Sequence, residues 1–211
     1  MRIHIDISVK VSRIVKIFVF ADFLLLAGWG LIVPIFSIFL IERIVGATLT
    51  TIGIATSVYW LSKSILQLPI ANFIDKTKNE RVSFYFSFLG LLLGSLVAFL
   101  FIFITQTWQL YVLEFLHALA FGMYVPSWRG IFSKHLDKDH IALDWSLDST
   151  AIGFAAGVSG FIGGVLADSF GFEMVFILAA VFSLGSSLVM LFAPRFVFPP
   201  HLEPRTRIQI H

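Results

Sequence analysis

The apolar positions of the chain fall into six long stretches that are separated by short polar connections. Each stretch is close to the ~20 residues that an α-helix needs to cross the hydrocarbon layer of a bilayer. The pattern therefore predicts an all-α integral membrane protein, a bundle of six helices. The predicted spans are roughly 15–41, 47–72, 82–104, 108–128, 149–167 and 172–193.

A short motif, Gly-x-x-Val-Pro, occurs twice, and its second copy begins 92 residues after the first. Three matches in the same order at nearly one offset predict that a three-helix unit is used twice. Paired, inverted repeats of this kind are typical of secondary transporters. The matching segments are 30–34 with 122–126, 95–97 with 187–189, and 71–75 with 164–168.

The repeat divides the membrane domain, 15–193, into two units. Repeat one covers about 15–104 and repeat two about 108–193. The flanking segments, 1–14 and 194–211, are predicted to be a cytoplasmic N-terminal segment and a cytoplasmic tail.

The repeated motif also predicts helix kinks at matching positions, Gly30 and Pro34 in the first span and Gly122 and Pro126 in the fourth. Proline removes a backbone hydrogen bond inside a helix and favours a kink. Interrupted helices at corresponding places in two repeats indicate a central binding site.

Composition agrees with a membrane protein, because 58 % of the residues are hydrophobic and only 13 % are charged. Six spans use most of the 211 residues, so a soluble catalytic domain is not expected. The chain has no cysteine, and its histidines lack the close spacing of a zinc site. We therefore expect no metal, no cofactor and no enzyme activity.

The basic residues predict the orientation of the chain. With both termini on one side, thirteen of the fifteen Lys and Arg residues fall on that side, and only Arg43 falls on the other. By the positive-inside rule, both termini are cytoplasmic, in a multi-pass protein of the plasma (inner) membrane. The net charge of +2 follows from this rule, and no nucleic-acid partner is expected. The thirteen are Arg2, Lys10, Arg13, Lys16, Lys76, Lys78, Arg81, Arg129, Lys134, Lys138, Arg195, Arg205 and Arg207.

Lys63 lies near the middle of the second predicted span. A lysine at that depth costs about 3 kcal/mol on insertion scales. Thr56, Trp60, Lys63 and Gln67 are three or four residues apart and form one stripe, which we expect to face the bundle interior or a wet cavity. A structural ion pair or a snorkelling lysine is the alternative interpretation.

Three further ionisable residues lie inside predicted spans: Asp22, Glu114 and His117. Asp22 is close enough in depth to Lys63 for a pair between them. Glu114 and His117 are three residues apart, hence on one helix face, and carboxylate–histidine chains occur in proton-coupled pumps. With Lys63, Trp60 and Gln67, they are the candidates for binding substrate or protons. Alternatively, Glu114 reaches water and His117 is a satisfied interior histidine.

The chain resembles the major facilitator superfamily, specifically its amino-terminal six-helix half. The Asp75-Lys76 pair matches the core of the signature between the second and third helices of that family, while Ala71 and Lys78 replace its two glycines. Glu114 stands where the family often has an arginine. The resemblance implies a twelve-helix transporter and a cytoplasmic gate at Asp75 and Lys76.

The sequence therefore predicts a secondary active transporter that moves a small solute by alternating access and is coupled to protons. We expect it to act as a half-transporter, paired in the lipid membrane with a second copy or a second six-helix subunit. A truncated product or a non-transporting scaffold is the alternative. A rhomboid-type serine protease matches Gly157-Val158-Ser159-Gly160, but the sixth span contains no histidine to serve as its base.

Overall fold

The computed structural model describes residues 12–192, so the predicted terminal segments lie largely outside the described residues. Within this range the chain contains seven α-helices, one 3₁₀ turn and no strand. The helices are α1 (Arg13–Ile32), α2 (Phe36–Arg43), α3 (Leu49–Thr77), α4 (Glu80–Leu100), α5 (Thr107–Lys134), α6 (Ile141–Phe170) and α7 (Phe172–Met190); the 3₁₀ turn is Phe101–Phe103.

Five helical segments are long and apolar enough to cross a membrane: α1, α4 with its 3₁₀ turn, α5, α6 and α7. The predicted span 47–72 corresponds to α3, which has 29 residues and therefore sufficient length. α3 is less apolar than the others because it carries Lys63, Gln67, Asp75 and several hydroxyl side chains. The fold is an all-helical membrane protein, as predicted.

The first predicted span, 15–41, is two helices and not one. α1 ends at Ile32 and α2 begins at Phe36, with Pro34 in the turn between them. A proline has no N–H to donate, and its ring collides with the carbonyl four residues earlier, so the helix stops there. By contrast, α5 continues through Pro126.

The charged connection predicted at 129–148 is also shorter than expected. α5 continues to Lys134 and α6 begins at Ile141, so only six residues connect them. Asp137 organises this connection: its N–H donates to Asp144 Oδ2 (2.9 Å), and its Oδ1 accepts the N–H of Asp139 (3.0 Å). The Asp139 N–H and the His140 side chain lower the pKa of the Asp137 carboxyl.

Polar contacts identify which helix ends meet. At the end where α1, α4 and α6 begin, here called the basic end, Lys134 Nζ lies 3.3 Å from Glu80 Oε1. At the opposite end, Arg43 Nη1 lies 3.4 Å from Glu173 Oε1, and Arg43 Nη2 donates to the Ile102 carbonyl at 2.9 Å. Successive long helices therefore run in alternating directions between these two ends.

Four helices, α1, α4, α5 and α7, each pack against two main neighbours. α1 packs against α6 and α7, α5 packs against α3 and α4, and α4 packs against α7. Backbones approach closely at three glycines: a Cβ built on Gly28 would lie 2.8 Å from the Ala179 carbonyl oxygen, one on Gly90 would lie 2.6 Å from the Ala120 carbonyl oxygen, and one on Gly163 would meet the Leu31 carbonyl. Small residues permit such approaches in lipid, where packing contacts drive helix association.

Serine hydroxyls add hydrogen bonds between helices. Ser95 Oγ on α4 donates to the Ala180 carbonyl of α7 at 2.9 Å, and Ser186 Oγ on α7 donates to the Ala21 carbonyl of α1 at 2.6 Å. Both serines are buried. These bonds join α7 to its two neighbours and stabilise the frame around the site.

Candidate functional site

One face of α5 carries five side chains, three or four residues apart along the helix. Residues at this spacing lie above one another on a helix surface. From the opposite end toward the basic end they are Glu114, His117, Phe121, Tyr124 and Trp128.

Near the opposite end, Glu114 and His117 of this face meet Trp29 of α1 and Tyr59 of α3. We call these four residues the histidine cluster. His117 Nδ1 lies 3.3 Å from Glu114 Oε2. The Trp29 indole of α1 stacks on the imidazole at 3.9 Å between centroids, and the Tyr59 ring of α3 lies at 4.3 Å. Both side chains of the Glu114–His117 pair are largely buried. Aromatic rings from two helices therefore hold the imidazole against its carboxylate partner.

A cavity of about 330 Å³ opens beside the histidine cluster. Aromatic rings form much of its wall, and Glu114 and His117 supply polar groups. A concave, mostly apolar space with a few convergent polar side chains is typical of a small-molecule site. Its lining residues are Trp29, Ile32, Val33, Phe36, Ser37, Ile52, Thr56, Tyr59, Trp60, Glu114 and His117.

The Lys63 ammonium lies next to this cavity, over aromatic faces. Its Nζ is 4.8 Å from the Trp60 ring centroid, 5.5 Å from that of Tyr59 and 5.7 Å from that of Phe121. Cation–π attraction offsets part of the cost of holding this half-buried charge. Among the described residues, no carboxylate lies within ion-pair distance of Lys63.

Asp22 does not line the cavity but lies nearer the basic end. The ion pair between Asp22 and Lys63 that the sequence suggested does not form among the described residues. Asp22 Oδ1 accepts the Tyr124 hydroxyl at 2.7 Å, and both residues are buried. Asp148 of α6 is also buried and interacts electrostatically with Asp22. We call Asp22, Tyr124 and Asp148 the carboxylate cluster. Asp148 Oδ1 has no hydrogen-bond partner in the described part of the chain.

The predicted site residues thus fall into separate groups. Trp60, Glu114 and His117 line the cavity, and the Lys63 ammonium lies over the Trp60 ring. Gln67 lies about two turns of α3 beyond Trp60, and its backbone N approaches Gly122.

The predicted gate residues Asp75 and Lys76 lie at the basic end of α3 and are exposed. Two residues later, Lys78 ends the helix in the left-handed region, with φ of 48°. Glycine adopts that conformation without steric cost, whereas a lysine is strained there. A glycine would therefore suit this position of the connection better than the lysine present.

Sequence reasoning did not identify Tyr59, Phe121, Tyr124 or Asp148. The three- and four-residue spacing that links Glu114 to His117 continues to Phe121 and Tyr124, and this signal was available. Asp148 was assigned to a connection because the fifth span was predicted to begin at 149, whereas α6 begins at Ile141 and includes Asp148.

Ser159, the residue of the protease-like motif, is 6 % exposed, and its hydroxyl donates to the Ala155 carbonyl one turn earlier at 2.6 Å. A hydroxyl that back-bonds to its own helix is a common arrangement for a serine inside a membrane helix. Ser159 also contacts Gly30 of α1. These contacts describe a packing position between α1 and α6.

A sequence model described as Major Facilitator Superfamily matches residues 18–209. No curated protein matches the chain.

Proposed function

Because the chain belongs to the Major Facilitator Superfamily, whose members are membrane transporters, we propose that it moves a small solute by alternating access, driven by protons. The observation that carries this proposal is the aromatic-walled cavity that contains the buried Glu114–His117 pair beside the Lys63 ammonium. Ionisable groups inside a membrane bundle are costly and usually serve a substrate or ion pathway.

We assign the proton to the Glu114–His117 pair and the solute to the cavity wall around Trp60 and Lys63. Carboxylate and imidazole are groups that exchange protons near neutral pH when their surroundings change. Asp22 is a second candidate proton carrier, nearer the basic end. Gln67 lies on the same stripe of α3 and would meet the solute only as it leaves the cavity.

We further propose that the bundle consists of two inverted three-helix repeats. Shifting the numbering by 92 residues exchanges two of the close helix contacts: Gly28 against Phe182 becomes Ala120 against Gly90. The same shift relates Gly30 against Ser159 to Gly122 against Gln67. A pair of contacts that is exchanged by one shift supports a two-fold relation between the repeats.

A second six-helix unit would complete the pathway, either another copy or a separate subunit. Support comes from the exposed face of α6, where Gly153 and Gly157 have no atom within 4 Å of an added Cβ. A glycine face of this kind lets another helix approach closely. The exposed Asp75 and Lys76 would form the cytoplasmic gate against that unit, with both termini cytoplasmic in a plasma membrane.

Alternating access is testable without knowing the solute, because the chain contains no cysteine. Thr56→Cys reports on the cavity, and Thr150→Cys reports on a groove between α1 and α6 toward the basic end. Each variant is labelled with a membrane-impermeant thiol reagent in vesicles of both orientations, with and without a proton gradient. We expect the gradient to change the two labelling rates in opposite directions.

Thr105→Cys is the control, since this residue is exposed in a connection at the opposite end and should react at a constant rate. If the labelling rates of Thr56→Cys and Thr150→Cys are the same with and without the gradient, the chain behaves as a non-transporting scaffold and the proposal is wrong.

Assembly has its own test, which uses Gly157→Cys. An added side chain meets open space there within the chain, so folding should be unaffected. We expect cross-linking in mild detergent between two copies or to a second subunit, and a mass above the 23.7 kDa of one chain. A transport-competent monomer would contradict the proposed assembly.

A further inference from the structure

The Lys63 ammonium is a half-buried cation that lies over three ring faces, and within residues 12–192 it has no ion pair. Arg43 and Lys134, by comparison, each lie within 4 Å of a carboxylate. A desolvated ammonium without an anion is an expensive group to maintain, and a ligand anion would supply what the chain does not. The difference between Lys63 and these two paired cations indicates that the ligand carries a negative charge.

Trp29 provides a second, independent observation. Its ring lines the cavity and is 8 % exposed, yet its indole N–H is buried and donates to no acceptor among the described residues. A buried donor without an acceptor costs about 1–3 kcal/mol. An oxygen acceptor that entered the cavity would satisfy it after a small movement.

The shape of the wall indicates what else the ligand carries. Tyr59 and Trp60 meet edge to face at 5.1 Å between centroids, and both line the cavity. Trp60 is 56 % exposed, so its ring face remains available to a partner. Aromatic rings prefer offset-stacked or edge-to-face neighbours, which favours a planar aromatic solute over an aliphatic one.

We propose that the cavity binds an aromatic carboxylate, whose anionic group pairs with the Lys63 ammonium and whose ring lies against Tyr59 and Trp60. This inference rests on the proposed transporter function and names the class of its solute. A volume of about 330 Å³ accommodates a single small aromatic acid.

The geometry also links the anion to the proton. The Glu114 carboxylate lines the same cavity, so a bound anion and Glu114 would repel one another in a poorly hydrated space. Proton uptake by the Glu114–His117 pair relieves that repulsion. Binding of the anion therefore draws in a proton by electrostatics alone, without a separate coupling element.

Other charges near the pair are few. α3 contributes Lys63 and the Tyr59 hydroxyl, whereas α1 contributes the uncharged Trp29. The acidic and basic residues of the remaining neighbours are at helix ends: Glu42 and Arg43 in the last turn of α2, and Glu80 and Arg81 in the first turn of α4. Asp22 is bonded to Tyr124 nearer the basic end.

The test uses the purified full chain in detergent, with quenching of tryptophan fluorescence as the readout. The probes are benzoate, benzamide, benzylamine and acetate. We expect benzoate to bind at least about tenfold more tightly than benzamide, because a charged hydrogen bond is lost in the amide. Acetate lacks the ring and should also bind more weakly. Tighter binding of benzylamine than of benzoate would overturn the proposal, as would the failure of all four probes to bind.

Lys63→Met and Lys63→Arg form the matched pair of variants. Methionine keeps the length of the side chain and removes a costly charge, so Lys63→Met should fold, which thermal unfolding checks. We expect about a tenfold loss of benzoate affinity in Lys63→Met and rescue in Lys63→Arg. Unchanged benzoate affinity in a folded Lys63→Met variant contradicts the assigned pairing.

Proton coupling is measured with a pH indicator in weakly buffered solution. Benzoate binding to the natural chain should take up a proton, and binding to Glu114→Gln should take up much less. Equal uptake by both proteins would remove Glu114 from the coupling.

The two proposals fail in different ways. If labelling at Thr56→Cys depends on the gradient but benzoate does not bind, the proposed transporter function stands and the aromatic-carboxylate solute is wrong. If benzoate binds but labelling does not depend on the gradient, the proposed binding site stands and alternating access is wrong.

Discussion

Asp22 and Glu114 are 92 residues apart and so occupy the same place in the proposed repeat, yet the two acids lie in different surroundings. Asp22 is about 13 Å from the start of α1 at the basic end, and Glu114 is about 10 Å from the start of α5 at the opposite end. Asp22 is capped by the Tyr124 hydroxyl inside packed helices, whereas Glu114 faces a cavity and is held by an imidazole. Two acids related by this spacing thus differ: Asp22 is held by a hydrogen bond in the helix packing, and Glu114 lines a cavity.

The connections at the two ends differ in a similar way. Opposite-end connections use Gly46 and Gly171 at positive φ, 76° and 84°. Among the described residues, Lys78 at the basic end is the only non-glycine residue with a positive φ. The basic end therefore stores backbone strain that the opposite end avoids.

The largest expected effect on this comparison comes from Asp22→Ala. It leaves the buried Tyr124 hydroxyl without its acceptor, which should lower the free energy of unfolding by about 1–3 kcal/mol. Asp22→Asn, which keeps an acceptor, should cost about 1 kcal/mol or less. Chemical unfolding in detergent measures both, and equal stability of Asp22→Ala and the natural chain would show that the bond contributes nothing.

Glu114→Gln should produce the reverse pattern, a functional loss with a smaller change in stability. We expect the proton-gradient effect on labelling of Thr56→Cys to fall about tenfold, because the charged partner of His117 is removed. The cost in unfolding free energy should stay near 1 kcal/mol, since the amide keeps a hydrogen-bonding oxygen. If Asp22→Asn abolishes the gradient effect and Glu114→Gln does not, the assignment of the two acids is reversed.

Lys78→Gly tests the strain at the basic end and should raise the free energy of unfolding by about 0.5–1 kcal/mol. The matched control is Lys76→Gly, two residues earlier inside α3, where glycine should destabilise by about 1 kcal/mol. Thermal unfolding of the two variants should therefore shift in opposite directions. A loss of stability in both would mean that the lysine side chain, and not φ, decides the outcome at Lys78.

The smallest effect is expected at the opposite end, from the exposed pair between Arg43 and Glu173. Glu173→Gln should cost about 0.5 kcal/mol or less, because solvent screens the pair. Arg43→Met should cost more, since Arg43 also donates to the Ile102 carbonyl. Unfolding in low and in high salt separates the two contributions: only the ion pair should weaken with salt.

Much of the architecture was predictable because apolar length and helical spacing are local properties. Apart from the break at Pro34, the helices appear where the apolar stretches predicted them. Glu114 and His117 share a face because three residues make most of one turn. The end of α5 and the start of α6 were missed because both extend beyond the apolar stretches. Their charged residues resemble those of a connection between helices.

The two copies of the Gly-x-x-Val-Pro motif had different outcomes for a reason that the motif does not contain. After Pro126, the Ser127 hydroxyl donates to the Met123 carbonyl at 2.7 Å, an added bond in the turn beside the Gly122 carbonyl that Pro126 leaves without a donor. Ile35 stands after Pro34 and has no such donor.

The sequence by itself determined the membrane class, the helical segments and the α5 face that carries the acid–histidine pair, because hydropathy and periodicity act within one segment. Only the tertiary structure decided the partners: that Asp22 meets Tyr124 from a helix 102 residues away, and that Lys63 rests on rings and not on a carboxylate. Such partners depend on which helices pack together and at what depth, and that follows from close approaches like the one at Gly28, which link residues far apart in the chain.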